Sequence, residues 1–152
     1  VRQPKLSPSV LFLITFALGL SLSFIQPWHL SIYIDAEIMR LTGITILLLS
    51  LLFNTLAYRE FKKALTPHAP FMKPKVLIKN GIFSLSRNPV YLALIFSEFG
   101  LGFVFDTFWL LISSLVLWIV LDIVIVRQEE KILNSTFNEE YESYRKMTRR
   151  WF

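Results

Sequence analysis

The sequence predicts an all-α, polytopic membrane protein with about four transmembrane helices, a polar loop between the second and third, and an amphipathic C-terminal helix. Three observations carry that expectation. Hydrophobic residues fill 54% of the 152 positions and aromatic residues 15%, with a mean hydropathy of +0.53; a soluble core of this size needs more polar cover. The apolar residues come in long runs, and a helix needs about 20 such residues to span hydrocarbon. The connections between the runs alternate between cation-rich and cation-poor, as membrane topology demands.

The first run, Val10 to Gln26, is opened by Ser7-Pro8-Ser9 and reads as an uncleaved membrane helix, since no small-residue cleavage site follows a short apolar stretch. The second is Leu41 to Tyr58. The third, Val90 to Phe105, is short and carries Gly100 and Gly102, so it either tilts or dips against a neighbour. The fourth, Phe108 to Val126, follows a link that permits only a tight helical hairpin. Lys and Arg flank the start, crowd the segment from Arg59 to Arg87 and return in the tail, whereas Pro27 to Glu37 has neither. Both termini and the middle loop are therefore expected on the cytoplasmic side, with Trp28 and Trp109 at the outer interface. The net charge of +5 follows these membrane-proximal segments, which argues against nucleic acid as a partner. With no Cys and only His29 and His68, disulfides are excluded and no metal site is expected.

The middle loop, Lys62 to Pro89, contains Pro67, Pro70, Pro74 and Pro89, so it is expected to be extended and stiff. Gly81 supplies a backbone turn before Phe83, and Pro89 suits the first turn of the third helix. The fourth helix is expected to run on through Glu129, Glu130 and Leu133, break between Asn134 and Asn138, and give way to a short helix capped by Asn138. Tyr141, Tyr144 and Trp151 recur at roughly helical spacing on it. The whole chain, 1–152, reads as one domain: 1–58 forms the first two membrane helices, and 59–152 the loop, hairpin and tail.

Glu129–Glu130 is the first candidate for chemistry. An isolated pair is ordinarily a solvated helix end, but a carboxylate beyond an apolar helix in a basic neighbourhood can also bind ribose hydroxyls or face a cation. Arg87-Asn88-Pro89-Val90-Tyr91 alone reads as a helix start with Asn88 as cap. Glu98 and Asp122 are acids within apolar runs, a pattern that marks function by default. Asn54 reads as interhelical glue.

In combination these residues resemble the isoprenylcysteine carboxyl methyltransferases and their prokaryotic relatives, which include phospholipid methyltransferase-like proteins. The resemblance rests on Leu77, Ile78, Gly81, Phe83, Arg87, Asn88, Pro89 and Tyr91, followed by Glu129, Glu130, Leu133, Phe137, Tyr141 and Tyr144, and covers roughly Thr66 to the C-terminus. It implies S-adenosylmethionine as methyl donor, held by His68, Lys75, Val76, Leu77, Ile78, Phe83, Asn88, Pro89, Val90, Tyr91 and Glu129. It implies an acceptor that is lipophilic or delivered by the bilayer: an isoprenylcysteine-like carboxylate, a lipid or a thiol. Glu98, Glu129 and Arg127 are the candidates for catalysis. The sequence departs from the family pattern at Asn88, where the family has His, and at Asn138, where it has Gly. It also has Ile125 where the prenyl-protein enzymes have a substrate-contacting Arg; Arg127, about 200° away at ~100° per residue, is no simple replacement. Two other functions fit parts of the pattern: a small four-helix transporter using Glu98, or a nicotinamide-dependent membrane reductase.

Overall fold

The structure, a computed structural model, describes residues 7–65 and 74–152. Helix α1 (Pro8–Ile25) starts where Ser7 Oγ accepts a hydrogen bond from Val10 N, with Pro8 in the turn that needs no N–H donor. Helix α2 (Ala36–Lys63) extends past both ends of the predicted Leu41–Tyr58 run. Asp35 Oδ1 caps it by accepting from Glu37 N and Ile38 N, and Lys62 and Lys63 suit its C-terminal dipole. Hydropathy marks only its apolar middle; capping and charge set its true ends. Helix α3 (Pro89–Val104) has 16 residues, about 24 Å at 1.5 Å per residue, short of the ~30 Å of hydrocarbon.

Helix α4 (Phe108–Val120) continues through a π-helical segment, Leu121–Val126, into α5 (Arg127–Phe137). The break expected from Asn134 is confined to Asn138, whose φ of +46° turns the chain into α6 (Glu139–Met147) without a side-chain cap. Trp151 lies beyond α6 rather than on it, because the helix ends at Thr148 in an extended conformation. Among the described residues, three helical spans are long and apolar enough to cross a membrane: Pro8–Ile25, Ala36–Lys63 and the continuous Phe108–Phe137. Helix α3 is the shorter apolar companion.

The helices alternate in direction. Phe108 N donates to the Trp28 carbonyl at 3.0 Å, and Trp109 Nε1 donates to the Gln26 carbonyl at 2.7 Å. The end of α1 and the start of α4 therefore share one end of the bundle. There Ser31 donates to Asp106 through both N and Oγ, at 2.7 and 2.6 Å. The start of α3, the end of α2, the π segment and α5 share the other, basic end.

Small residues let the helices approach, which matters in a membrane where apolar burial alone gives little drive to associate. A Cβ on Gly43 would lie 3.0 Å from the Gly100 carbonyl oxygen, and one on Gly100 would lie 3.1 Å from that of Gly43, so the α2 and α3 backbones nearly touch. Ser50 Oγ ties the same pair by donating to the Ala93 carbonyl at 2.7 Å and lies 2.6 Å from Ser97 Oγ. Asn54, one turn on, is exposed instead of acting as glue. Glu98 is fully buried; Thr15 of α1 donates to its Oε2 at 2.8 Å and Ser113 of α4 to its Oε1 at 2.6 Å. One carboxyl thus joins three helices.

Candidate functional site

The basic end of the bundle gathers most of the singled-out residues. Gly81 turns with φ +61°, and a Cβ there would lie 2.7 Å from Glu60 Oε1. That turn opens a 3-10 segment, Gly81–Ser84, which buries Ile82 and Phe83 against Ala57 of α2. The Phe83 ring meets Phe61 edge-on at 5.4 Å, with Ile78 and Val90 packed on the same cluster. Leu77 instead packs with Tyr141, Tyr144, Leu133 and Phe137. Helix α6 closes over this loop: Tyr144 Oη donates to the Phe83 carbonyl at 2.6 Å, and burial raises the Tyr144 pKa, keeping its proton available for that bond.

Tyr91, one turn into α3, points at α5 and donates to Glu129 Oε1 at 2.8 Å. The loop motif and the glutamate pair, 38 residues apart, thus meet through a direct bond. Glu130 faces a different way. It accepts from Arg150 at 3.0 and 2.6 Å and pairs with Arg87 at 3.1 Å. Arg87 also donates to Tyr141 Oη at 3.1 Å. Burial, then the Glu130 charge, push Tyr141 up to about 12, so its hydroxyl is neutral and can accept. Among the described residues, Arg87 Nε and Gln128 Oε1 are buried side-chain atoms without a partner, groups that normally find one.

Other predicted residues do not all share these contacts. Lys75 and Val76 are exposed on the loop, and Pro89 is buried in the first turn of α3. His68 lies outside the described residues. Glu98 is seven residues along α3 from Tyr91, about 10 Å up the helix axis, among the α1 and α4 hydroxyls. Arg127 turns outward with 57% of its side chain exposed and donates to Asp122 at 3.0 Å. Five residues separate that pair, a spacing that places side chains ~140° apart on an α-helix but stacks them across a π turn. Ile125 is fully buried, on the same core as Tyr91. Asn88 does not cap α3; its Nδ2 donates to the Arg150 carbonyl at 3.0 Å.

A family model described as Phospholipid methyltransferase matches residues 38–140. The chain belongs to the phospholipid methyltransferase family. The match begins at the start of α2 and runs to the start of α6, so it includes Asn88, Tyr91, Glu129 and Glu130. Membership in the phospholipid methyltransferase family implies a membrane methyltransferase, in keeping with the multi-pass helical fold. No curated protein and no solved structure matches the chain.

Sequence reasoning missed the tail beyond α6 in this phospholipid methyltransferase-family chain. Arg150 bridges Glu130 and Asp122, and Trp151 Nε1 donates to Asp122 Oδ1 at 3.2 Å. The available signal was Asp122 itself: an acid within an apolar run requires partners, and Arg149-Arg150-Trp151 supplies cations and a donor. An open groove of about 490 Å³ runs beside this network. Its apolar wall is Trp118, Ile119 and Ile123, and its polar end is Arg87, Asp122 and Arg127.

Proposed function

We propose that this protein transfers a methyl group from S-adenosylmethionine to a lipophilic acceptor presented by the bilayer, at a site on its basic, cytoplasmic end. The observation that carries this is the 2.8 Å bond from Tyr91 to Glu129, which unites the two halves of the family motif at one end of the bundle. The residues there suit the donor. Glu129 offers carboxylate oxygens to paired hydroxyls, Asn88 an amide, Leu77 and Ile78 apolar surface, and Lys75 a cation for the donor's carboxylate. The orphaned Arg87 Nε and Gln128 Oε1 are polar groups that a ligand could complete.

When bound, the donor supplies an electrophilic methyl on a sulfonium. The chain's own contribution is alignment and exclusion of water: Tyr91 ties α3 to Glu129 of α5, and Tyr144 pins the loop to α6. A carboxylate acceptor requires no proton removal. An amine or thiol does, and Glu129 is the candidate to take that proton. Glu98 is assigned to helix assembly, because both of its oxygens already accept from Thr15 and Ser113. The apolar groove beside Trp118 and Ile119 offers an amphiphile a path from lipid to the basic end. That end carries Lys62, Lys63, Lys75, Lys79 and Arg87, against Arg40 at the opposite end, which supports the cytoplasmic orientation.

Calorimetric titration with S-adenosylmethionine tests the assignment. The parent protein binds, and Glu129→Gln binds at least about tenfold more weakly, since a hydrogen bond to a charged group contributes roughly 1.5–3 kcal/mol. Equal affinity in parent and variant removes Glu129 from the donor site.

A further inference from the structure

The segment from Thr148 to Phe152 lies beyond residue 140, where the family match ends. It leaves α6 in an extended conformation, with Thr148 at φ −124° and ψ 129°, and crosses the start of α3. Its main chain is stitched to the motif. Arg87 N donates to the Arg149 carbonyl at 3.1 Å. The Arg150 carbonyl accepts from Asn88 Nδ2 at 3.0 Å and from Ser86 Oγ at 3.2 Å. Its side chains latch it from the other side. The Arg150 guanidinium reaches Glu130 through Nε and NH2, at 3.0 and 2.6 Å, and Asp122 through NH1 at 3.0 Å. Trp151 Nε1 donates to the same Asp122 oxygen, and the Phe152 ring stacks on Phe96 at 5.9 Å.

This stitching fixes the orientation of one amide. A carbonyl can only accept, so the nitrogen of Asn88 must face Arg150; the reversed amide would set oxygen against oxygen. Oδ1 of Asn88 is therefore the atom turned away from the strap. Among the described residues it has no hydrogen-bond partner, while its nitrogen is committed.

We propose that Arg150 and Asp122 are positioning residues for the methyl-donor site. Asp122 and Glu130 hold the Arg150 side chain, the Arg150 carbonyl sets the Asn88 amide, and Asn88 Oδ1 is thereby presented as an acceptor for an N–H or O–H of the donor's nucleoside. The assignment rests on the donor site proposed above. It gives Asp122 and its π segment a function: the widened turn stacks Asp122 beneath Arg127 and leaves its other oxygen for Arg150 and Trp151. It also predicts that Arg150 acts through its main chain, so a substitution there matters only as far as it unlatches the strap. Lys cannot reproduce the fork that spans Glu130 and Asp122.

The test compares the full-length parent, Asp122→Asn, Arg150→Lys, Asn88→Ala and the double variant Asp122→Asn/Asn88→Ala in detergent. Affinity for S-adenosylhomocysteine is measured by calorimetry and protection of the Arg87 amide by hydrogen exchange. Asp122→Asn and Arg150→Lys are expected to weaken binding about tenfold and to speed Arg87 exchange. The KM for donor rises by a similar factor. The double variant binds no more weakly than Asn88→Ala alone, because both changes act through one amide. Additive losses, or unchanged affinity in both single latch variants, overturn the positioning role and leave the donor site standing. No binding by the parent overturns the donor site and this role together. Arg150→Lys keeps the charge and guards against misreading a variant that fails to fold.

Discussion

Glu98 and Glu129 are both glutamates at membrane helices, and their partners separate them. Glu98 is enclosed by α1, α3 and α4, and its hydroxyl donors also lie near carbonyls of their own helices, Thr15 near Leu11 and Phe12 and Ser113 near Leu110. Loss of the carboxyl would therefore not strand them. Interhelical hydrogen bonds in membranes average ~0.6 kcal/mol, so two are expected to contribute on the order of 1 kcal/mol. Glu98→Gln should retain both contacts, melt close to the parent and keep donor affinity, whereas Glu98→Leu should lose about that much stability. Denaturation in mixed micelles alongside a methyl-transfer assay checks this. A Glu98→Gln protein that is fully stable yet inactive would move Glu98 into the chemistry. Glu129 was legible in the sequence as a candidate, but its Tyr91 partner was not, because no local pattern states which tyrosine a glutamate 38 residues away will meet.

At the scale of elements, the α2–α3 contact depends on glycine. Gly43 and Gly100 face each other's carbonyl oxygens, which cannot move aside without shifting a helix. Gly43→Val is expected to cost about 1–3 kcal/mol, the usual range for overpacking. Gly102→Ala should cost less, since the nearest atom to its new methyl is the end of the Leu111 side chain. Thermal unfolding of the two variants gives the ranking, and a reversed order would contradict the close backbone approach. Gly100 and Gly102 were visible in the sequence only as interruptions of a short apolar run; their purpose emerges from what faces them. The π segment was invisible there, because Leu121–Val126 has the same apolar composition whether its turns are α or π.

For the molecule as a whole, the two ends perform separate tasks. The end opposite the proposed site is closed by Asp106, which receives two hydrogen bonds from Ser31 and lies 3.3 Å from His29 Nδ1, so it fastens the α1–α2 connection to the α3–α4 link. Burial alone would raise the Asp106 pKa, but the Ser31 bonds and the nearby imidazole hold it below the usual carboxylate range. A carboxyl whose pKa is lowered by folding stabilises the protein above its unfolded value, about 3.9, and loses that contribution as pH falls through the folded value. The melting difference between the parent and Asp106→Asn should therefore be full at pH 7 and shrink as pH drops below about 4. A difference that stays constant across that range would show that the carboxylate charge is not what fastens this end.

Composition and periodicity by themselves determined that this chain folds as membrane helices, because long apolar runs have few other stable arrangements. Short motifs also determined the family and the residue types around Asn88, Tyr91 and Glu129. Only the tertiary structure decided that Tyr91 meets Glu129, that Arg150 reaches Asp122 and Glu130, and that Glu98 ties three helices together. Those contacts join residues 15 to 83 positions apart. Helix crossing sets which side chains come within bonding distance, and it is not encoded in a local run of residues.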